Sequence, residues 1–433
     1  MLQIDFSNIF KVGEQHGLTK REFTRNKTLL KKYRKQFLTR GQHFHEIIDD
    51  KKTIDSIKQY AKEMKGEYDD IVVLGIGGSA LGSICLKQSL KHLFKNEVPE
   101  SGIPRLHVVD NIDPVLIEEV KEIIDLKRTL FLVISKSGST PESVSVFLYF
   151  REEIAKQDLA INRHFVFITD PGQNPLRSIA EEEGIELFDH PPIGGRFSVL
   201  SIVGLLPAAL VGINIDRLIA GAKEMRNAFL SDNFAQNLPF QLAGVQYALA
   251  KKGKNINVLM PYAQKLVRFS DWYGQLLAES IGKQVDREGG EVHTGITPVK
   301  ALGVTDQHSQ TQLYNEGPND KLIMFVQVLH PTKSAKIPFA YHIKELEYLK
   351  GASFNGLMEA ELMATADAYT KYQRPNIMIT IDKIDEYYLG QLFLLFEGAT
   401  AFLGEYFNID AFNQPGVELA KVLTRKYLNT KRV

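Results

Sequence analysis

The stretch Ile71-Val72-Val73-Leu74-Gly75-Ile76-Gly77-Gly78-Ser79-Ala80-Leu81-Gly82 passes from a β-branched apolar run straight into a glycine-dense turn that opens a helix. A continuous apolar run suits a strand buried on both faces, the condition of a parallel sheet covered by helices. The same texture returns at Leu106 to Val109, Leu130 to Ile134 and His164 to Ile168, with longer amphipathic stretches between. That alternation implies βαβ units and a mainly parallel sheet flanked by helices. A second series, Ile256 to Met260, Leu322 to Leu329 and Ile377 to Ile381, follows an uncharged segment read as an apolar helix over 197–215. Two tandem α/β domains are therefore expected, at residues 51–195 and 196–400. An N-terminal helical extension (1–50) precedes them and a C-terminal helical segment (401–433) follows, with a last long helix expected over Leu389 to Phe407 leading into a charged tail from Lys421 to Val433.

Composition narrows the function classes. The 52 basic and 52 acidic side chains cancel, so no global field draws the chain onto nucleic acid or an anionic membrane. Runs such as Lys31-Lys32-Tyr33-Arg34-Lys35 read as a solvated face rather than a nucleic-acid patch. The one cysteine, Cys85, excludes an intrachain disulfide and agrees with a reducing compartment, so a cytoplasmic location is expected. The nineteen uncharged residues between Arg196 and Asp216 approach bilayer length, but Ser198, Ser201, Gly204, Pro207, Gly212 and Asn214 interrupt them. A buried helix is the better reading than a membrane span. No metal-ligand cluster is evident, and His43 and His45 fall in a charged helical region where surface or packing roles are favoured.

The glycine turn fits GxGxxG only loosely, with Ala80 in the third position. Asp110, the acid after the next strand, lies about thirty residues on rather than the ~20 of a dinucleotide site. A second loop shifts the balance toward phosphate. Ser135-Lys136-Ser137-Gly138-Ser139-Thr140 also follows a buried strand and precedes a helix, and five of its six residues carry a hydroxyl or an ammonium. Capping needs one hydroxyl, whereas this loop has four. Two such helix starts at the carboxyl ends of strands in one sheet are placed to close on a single phosphate.

These hydroxyl-rich loops resemble those of the sugar-isomerase (SIS) domain family, which holds isomerases, amidotransferase subunits and sugar-phosphate sensors. Gly194-Gly195-Arg196-Phe197-Ser198 and Phe412-Asn413-Gln414-Pro415-Gly416-Val417-Glu418-Leu419-Ala420-Lys421 resemble the two signatures of the glucose-6-phosphate isomerase family. Between them, Gln275 to Ser280 and Asp306 to Gln310 are similar to that family's base and histidine segments. The matches follow the family's order from Gly75 to Lys421, and the length is that of its shorter bacterial branch. Positions 138 and 139 read Gly-Ser where the animal branch has a bulkier first residue.

The resemblance implies two SIS-type domains and cofactor-free interconversion of glucose 6-phosphate and fructose 6-phosphate, a step of glycolysis and gluconeogenesis. It assigns the proton-transfer base to Glu279 and stabilisation of the enediolate to Arg196, beside Gly195. Ring opening and proton handling fall to His308 and Lys421. Phosphate contacts carried over are Ser79, Ser135, Ser137 and Thr140, with Lys136 nearby and Gln275 as a further donor. Glu142 and Gln414 match positions facing the sugar. A homodimer in which His308 reaches the neighbouring subunit's site is also implied. Without the resemblance, a helical glutamate such as Glu279 would read as a solvated group, and one histidine of eleven as structural. A non-catalytic sensor would keep the Ser/Thr loops but need neither Glu279 nor Lys421. An isomerase acting also on mannose 6-phosphate is a closer rival, since the epimers share the enediol.

Overall fold

The apolar runs form two five-stranded sheets in a computed structural model that describes residues 1–430. The chain starts with β1 (Gln3–Asp5) and α1 (Lys27–Leu38). It then winds through β2 (Asp70–Leu74), α2 (Gly78–Leu90), β3 (Arg105–Val109), β4 (Thr129–Ile134), α3 (Pro141–Ala155), β5 (Phe165–Thr169), α4 (Pro175–Glu183) and β6 (Glu186–Asp189). These strands lie in the order β3-β2-β4-β5-β6, all parallel. Every residue of β2, β4 and β5 is buried, which is why their sequences read as unbroken apolar runs.

Three helices follow, α5 (Ile202–Leu210), α6 (Ile215–Phe229) and α7 (Leu238–Ala250). The second half comprises β7 (Ile256–Pro261), α8 (Val267–Ile281), the hairpin strands β8 (Lys283–Val285) and β9 (Glu291–Thr294), β10 (Thr297–Lys300), β11 (Lys321–Val328), β12 (Asn376–Ile381), α9 (Glu386–Tyr406) and α10 (Glu418–Thr430). Its sheet runs β1-β12-β11-β7-β10, parallel except at β1.

Three expectations change. The N-terminal extension is not wholly helical, because β1 pairs antiparallel with β12, Ile4 opposite Ile379. Three residues on a sheet edge carry no readable periodicity. The segment 197–215 is not one helix: α5 ends before Gly212, at φ +74°, and the Asn214 side chain accepts the Arg217 N–H to start α6. The boundary after residue 400 falls inside α9.

α9 forms the centre of the molecule, with every residue from Leu389 to Tyr406 buried among α6, α7, α8 and α1. Two glycines set its crossing with α6. A Cβ at Gly221 would stand 1.8 Å from Tyr387 O, and one at Gly390 2.0 Å from Leu218 O. Each large apolar side chain buried here contributes about 1.5–3 kcal/mol, so bulk at either glycine would be felt along the whole contact. Among the described residues no helix is long and apolar enough to cross a membrane.

The sheet order positions the site. Strands β2 and β4 are neighbours in register, Leu74 opposite Val133, so the turns after them emerge side by side at the carboxyl edge. The order reverses between these two strands, the place where open α/β sheets take ligands. Helix α8 packs across α2 and brings the second half against that edge.

Candidate active site

Three segments meet at the glycine turn because it has no side chains to keep them apart. A Cβ at Gly78 would lie 2.1 Å from Gly195 O, and one at Gly77, at φ +58°, 2.7 Å from Gln275 Nε2. Only glycine lets the backbone of 77–78 approach the Gly195-Arg196 turn and helix α8 this closely. Ser198 Oγ donates to Gly195 O at 2.6 Å and stiffens that turn.

Arg196 is the hub. It is 2% exposed, and its Nε donates to Ser280 Oγ at 2.6 Å. Nη1 donates to Glu279 Oε2 at 3.3 Å and to Gln414 Oε1, while Nη2 donates to Ala411 O and, at 3.1 Å, to Asn413 O. One planar fork thus ties the 195–197 turn, the end of α8 and the 411–414 segment together, which a flexible ammonium would not do. Burial pushes the guanidinium pKa down and Glu279 opposes the shift.

Gln275 and Glu279 stand one turn apart on α8, and Gln275 Nε2 donates to Glu279 Oε1 at 2.9 Å. Each carboxylate oxygen of Glu279 therefore has a donor from this chain. Its side chain keeps 30% exposure, unlike the neighbouring buried Leu276, Leu277 and Ser280. A carboxylate held at both oxygens yet open on one side is oriented and reachable.

In the hydroxyl-rich loop Ser135 is buried, with its Oγ 2.8 Å from Thr140 Oγ1. Ser139 Oγ donates to Ser137 Oγ at 3.2 Å. Thr140 precedes Pro141, the first residue of α3, and Glu142 sits half-buried in that helix's first turn. Ser79 is half-buried in the first turn of α2, and Lys136 has an exposed side chain. The Lys136 carbonyl accepts from Asp170 N–H at 3.0 Å and Thr169 Oγ1 at 3.2 Å, bracing the loop from behind. Gly138 has φ +64°, and a Cβ there would fall 1.9 Å from Asn174 Oδ1. A bulkier residue at 138 would not fit this loop as it is folded here.

Gly195, Arg196, Gln275, Glu279 and Gln414 are thus brought together beside the glycine turn. His308 and Lys421 are not part of that cluster. His308 is exposed on the short helix Thr305–Ser309, and Lys421 lies on α10, exposed and paired with Glu418 at 2.7 Å. The sequence reading gave no role to Ser198 and Ser280, motif members that the structure places in the cluster, nor to Lys283 behind it, nor to Thr169 and Asn174, which back the hydroxyl-rich loop. Lys283 had a readable signal, a cation just past the end of a helix that carries a carboxylate. Among the described residues no group of three His, Cys, Asp or Glu side chains is placed to hold a metal ion.

Two mainly parallel sheets with helices on their faces, and loops of this kind at the switch point, define a phosphosugar-isomerase fold of the SIS type. The crystal structure of a hypothetical protein from Thermus thermophilus matches with a TM-score of 0.87 and 35% identity, covering 99% of this chain and 100% of that one. A glucose-6-phosphate isomerase structure from Chlamydia trachomatis matches with a TM-score of 0.78 and 26% identity, over 88% and 74%. The sequence is 42% identical to a glucose-6-phosphate isomerase of Carboxydothermus hydrogenoformans, covering 98% of this chain and 94% of that protein. Residues 42–432 match the Phosphoglucose isomerase family. The chain belongs to that family.

Proposed function

We propose that this protein interconverts glucose 6-phosphate and fructose 6-phosphate, with Glu279 as the base that carries a proton between C2 and C1. The observation that carries the reading is the Arg196–Glu279 pair. It joins a buried, permanently charged donor to a reachable carboxylate, next to two anion-type helix starts in one sheet. The substrate phosphate sits against Ser79, Ser135, Ser137 and Thr140, with Lys136 near and Gln275 as a further donor, at the N-termini of α2 and α3. His308 and Lys421 open the ring, passing a proton to the ring oxygen while O1 loses one. In the open aldose, Glu279 removes the C2 proton as O1 gains one, which forms a cis-enediol. O2 then loses its proton while Glu279 returns its own to C1, giving the ketose with atoms balanced and no net oxidation. Negative charge on oxygen develops beside Arg196, where a fixed guanidinium stabilises it without reorganising. Glu142 and Gln414 face the sugar hydroxyls.

The working form in this proposal is a homodimer that supplies His308 across the interface. Helix α10 supports it, because none of its residues is buried and Leu419, Val422, Leu423, Tyr427 and Leu428 expose an apolar surface, Leu419 at 68%. A helix of 13 residues is marginal alone in water, so a second copy covering this surface accounts for it. A cytoplasmic location fits Cys85, buried as a free thiol.

The test is conversion of fructose 6-phosphate to glucose 6-phosphate in a coupled dehydrogenase assay, comparing wild type with Glu279→Gln. The expected result is robust wild-type activity and a loss of about 10²–10⁴-fold in kcat for the variant, the usual worth of general base catalysis. A fully active Glu279→Gln would remove Glu279 as the base, and an inactive wild type that still binds phosphosugar would favour a sensor.

A further inference from the structure

Lys283 is the first residue of β8, directly after α8 and Gly282, and is only 9% exposed. Its Nζ donates to Glu279 O and, at 3.0 Å, to Ser280 O. These two residues are also the α8 partners of Arg196, through the Glu279 carboxylate and the Ser280 hydroxyl. One ammonium therefore grips, by the backbone, the turn whose side chains hold the site arginine. Among the described residues Lys283 has no carboxylate within ion-pair distance, so its charge is buried against carbonyl oxygens. The charged groups facing it are Arg196 from the 195–197 turn, Glu279 from α8 and Asp410 after α9.

A helix end needs no buried cation, since water or glycine can satisfy its last carbonyls. The C-terminus of α8 does carry about half a negative charge, and Glu279 sits in its last turn. Left alone, that charge would oppose an enediolate forming nearby. We infer that Lys283 is a positioning residue: its ammonium, seated on the carbonyls of Glu279 and Ser280, fixes the turn that presents the base beside Arg196 and offsets the negative end of α8 where the enediolate forms. This rests on the reading of Glu279 as the base.

A consequence for pH follows. Burial lowers the Lys283 pKa from the ordinary 10.5 to about 8, with Arg196 adding to the shift and Asp410 and Glu279 opposing it. Deprotonation removes the offsetting charge, so kcat falls as pH rises through about 8. Stability runs the other way. The folded pKa lies below the unfolded one, so the charged form costs stability in full below about pH 8. That cost fades as pH rises toward 10.5. A residue kept only for stability would not have this sign.

The experiment measures kcat, KM and melting temperature of the full-length enzyme against pH for wild type, Lys283→Arg, Lys283→Met and Glu279→Gln. Lys283→Met is expected to lower kcat about tenfold with KM nearly unchanged and to erase the alkaline limb, its melting temperature at neutral pH equal to or above that of wild type because the cost of the buried charge is gone. Lys283→Arg, whose guanidinium holds its proton far more tightly than an ammonium, should retain neutral activity and move the limb up. If Lys283→Arg keeps the wild-type limb, or Lys283→Met keeps wild-type kcat, the inference is overturned. Should the arginine variant not fold, the methionine variant decides. An active Glu279→Gln would instead sink the base assignment, and an inactive one beside unperturbed Lys283 variants would sink only the role given to Lys283.

Discussion

Gln414 and Lys421 belong to one signature segment, yet folding treats them oppositely. Gln414 accepts from a buried guanidinium that also reaches Glu279, Ser280, Ala411 and Asn413. Lys421 stands on a helix with no buried residue, paired with its neighbour Glu418. His308 shares this exposed condition. One half of the site is assembled by the single chain, because burying an arginine without acceptors is too costly to leave undone. The other half is presented on surfaces that a second copy would have to order. Folding energy fixes the Arg196–Glu279 pair to which we assign charge stabilisation, and in the proposed dimer association would supply the two residues we assign to ring opening.

The largest expected effect comes from breaking the assembled half. Arg196→Met should lower kcat/KM by about 10³-fold, the scale of a lost oxyanion donor. It should also lower the melting temperature, because the carbonyls of Ala411 and Asn413 lose a buried donor. Arg196→Lys should rescue neither fully, since an ammonium cannot serve Ser280 and the 411–414 segment from one plane. Full activity in Arg196→Lys would break the view of a rigid hub.

The exposed half is probed by mixing subunits. His308→Ala alone should lower kcat by about 10²-fold and leave the melting temperature unchanged, because the side chain is exposed. Refolding it together with Glu279→Gln should restore part of the activity, since each mixed dimer would assemble one intact site. Absence of any recovery, with both variants dimeric by ultracentrifugation, would place His308 in its own subunit's site.

Much of this was legible in residues, for reasons that differ by element. Strands β2, β4 and β5 of the first sheet could be read because burial on both faces leaves apolar runs, as in Leu130–Ile134. Two edge strands, β6 and β1, could not: Glu186–Asp189 is half-exposed with acids at both ends, and β1 has one partner strand and three residues. In the site, Arg196, Glu279 and Gln414 stood in recognisable motifs, and the structure joins them directly. Ser280 and Lys283 were given no role because their importance lies in what they touch, an arginine from the first half for Ser280 and the end of α8 for Lys283. Asn174 was missed because its bearing on Gly138 is a packing relation between two loops.

Gly138 offers a smaller test, on the phosphate side. At φ +64°, with Asn174 Oδ1 where a Cβ would be, Gly138→Ala must distort the loop. Strain of this kind costs about 1–3 kcal/mol, expected here as a rise in KM of about tenfold with kcat nearly kept. Inhibition by inorganic phosphate should weaken in parallel. Unchanged KM and phosphate inhibition would show that the loop gives way without loss of anion binding.

The smallest effect on activity, and the sharpest on the rule that buried charge is matched, comes from α9. Its Glu405 accepts from Arg40 and Arg287, both through two N–H groups. Glu397 on the same helix is fully buried, and among the described residues neither of its oxygens has a hydrogen-bond partner. Burial pushes its pKa well above the ordinary 4.5. For an acid raised by folding, both states are protonated at low pH and no cost arises. As pH climbs past 4.5 the unfolded chain ionises while the folded one does not, and stability falls by up to about 1.4 kcal/mol per pH unit until the folded group titrates. Glu397→Gln keeps the shape and cannot ionise, so it should match wild type near pH 4 and melt higher at pH 7, with kcat unchanged. A variant less stable at neutral pH would mean that the carboxylate is charged and matched in the folded protein, and that α9 carries two satisfied acids instead of one.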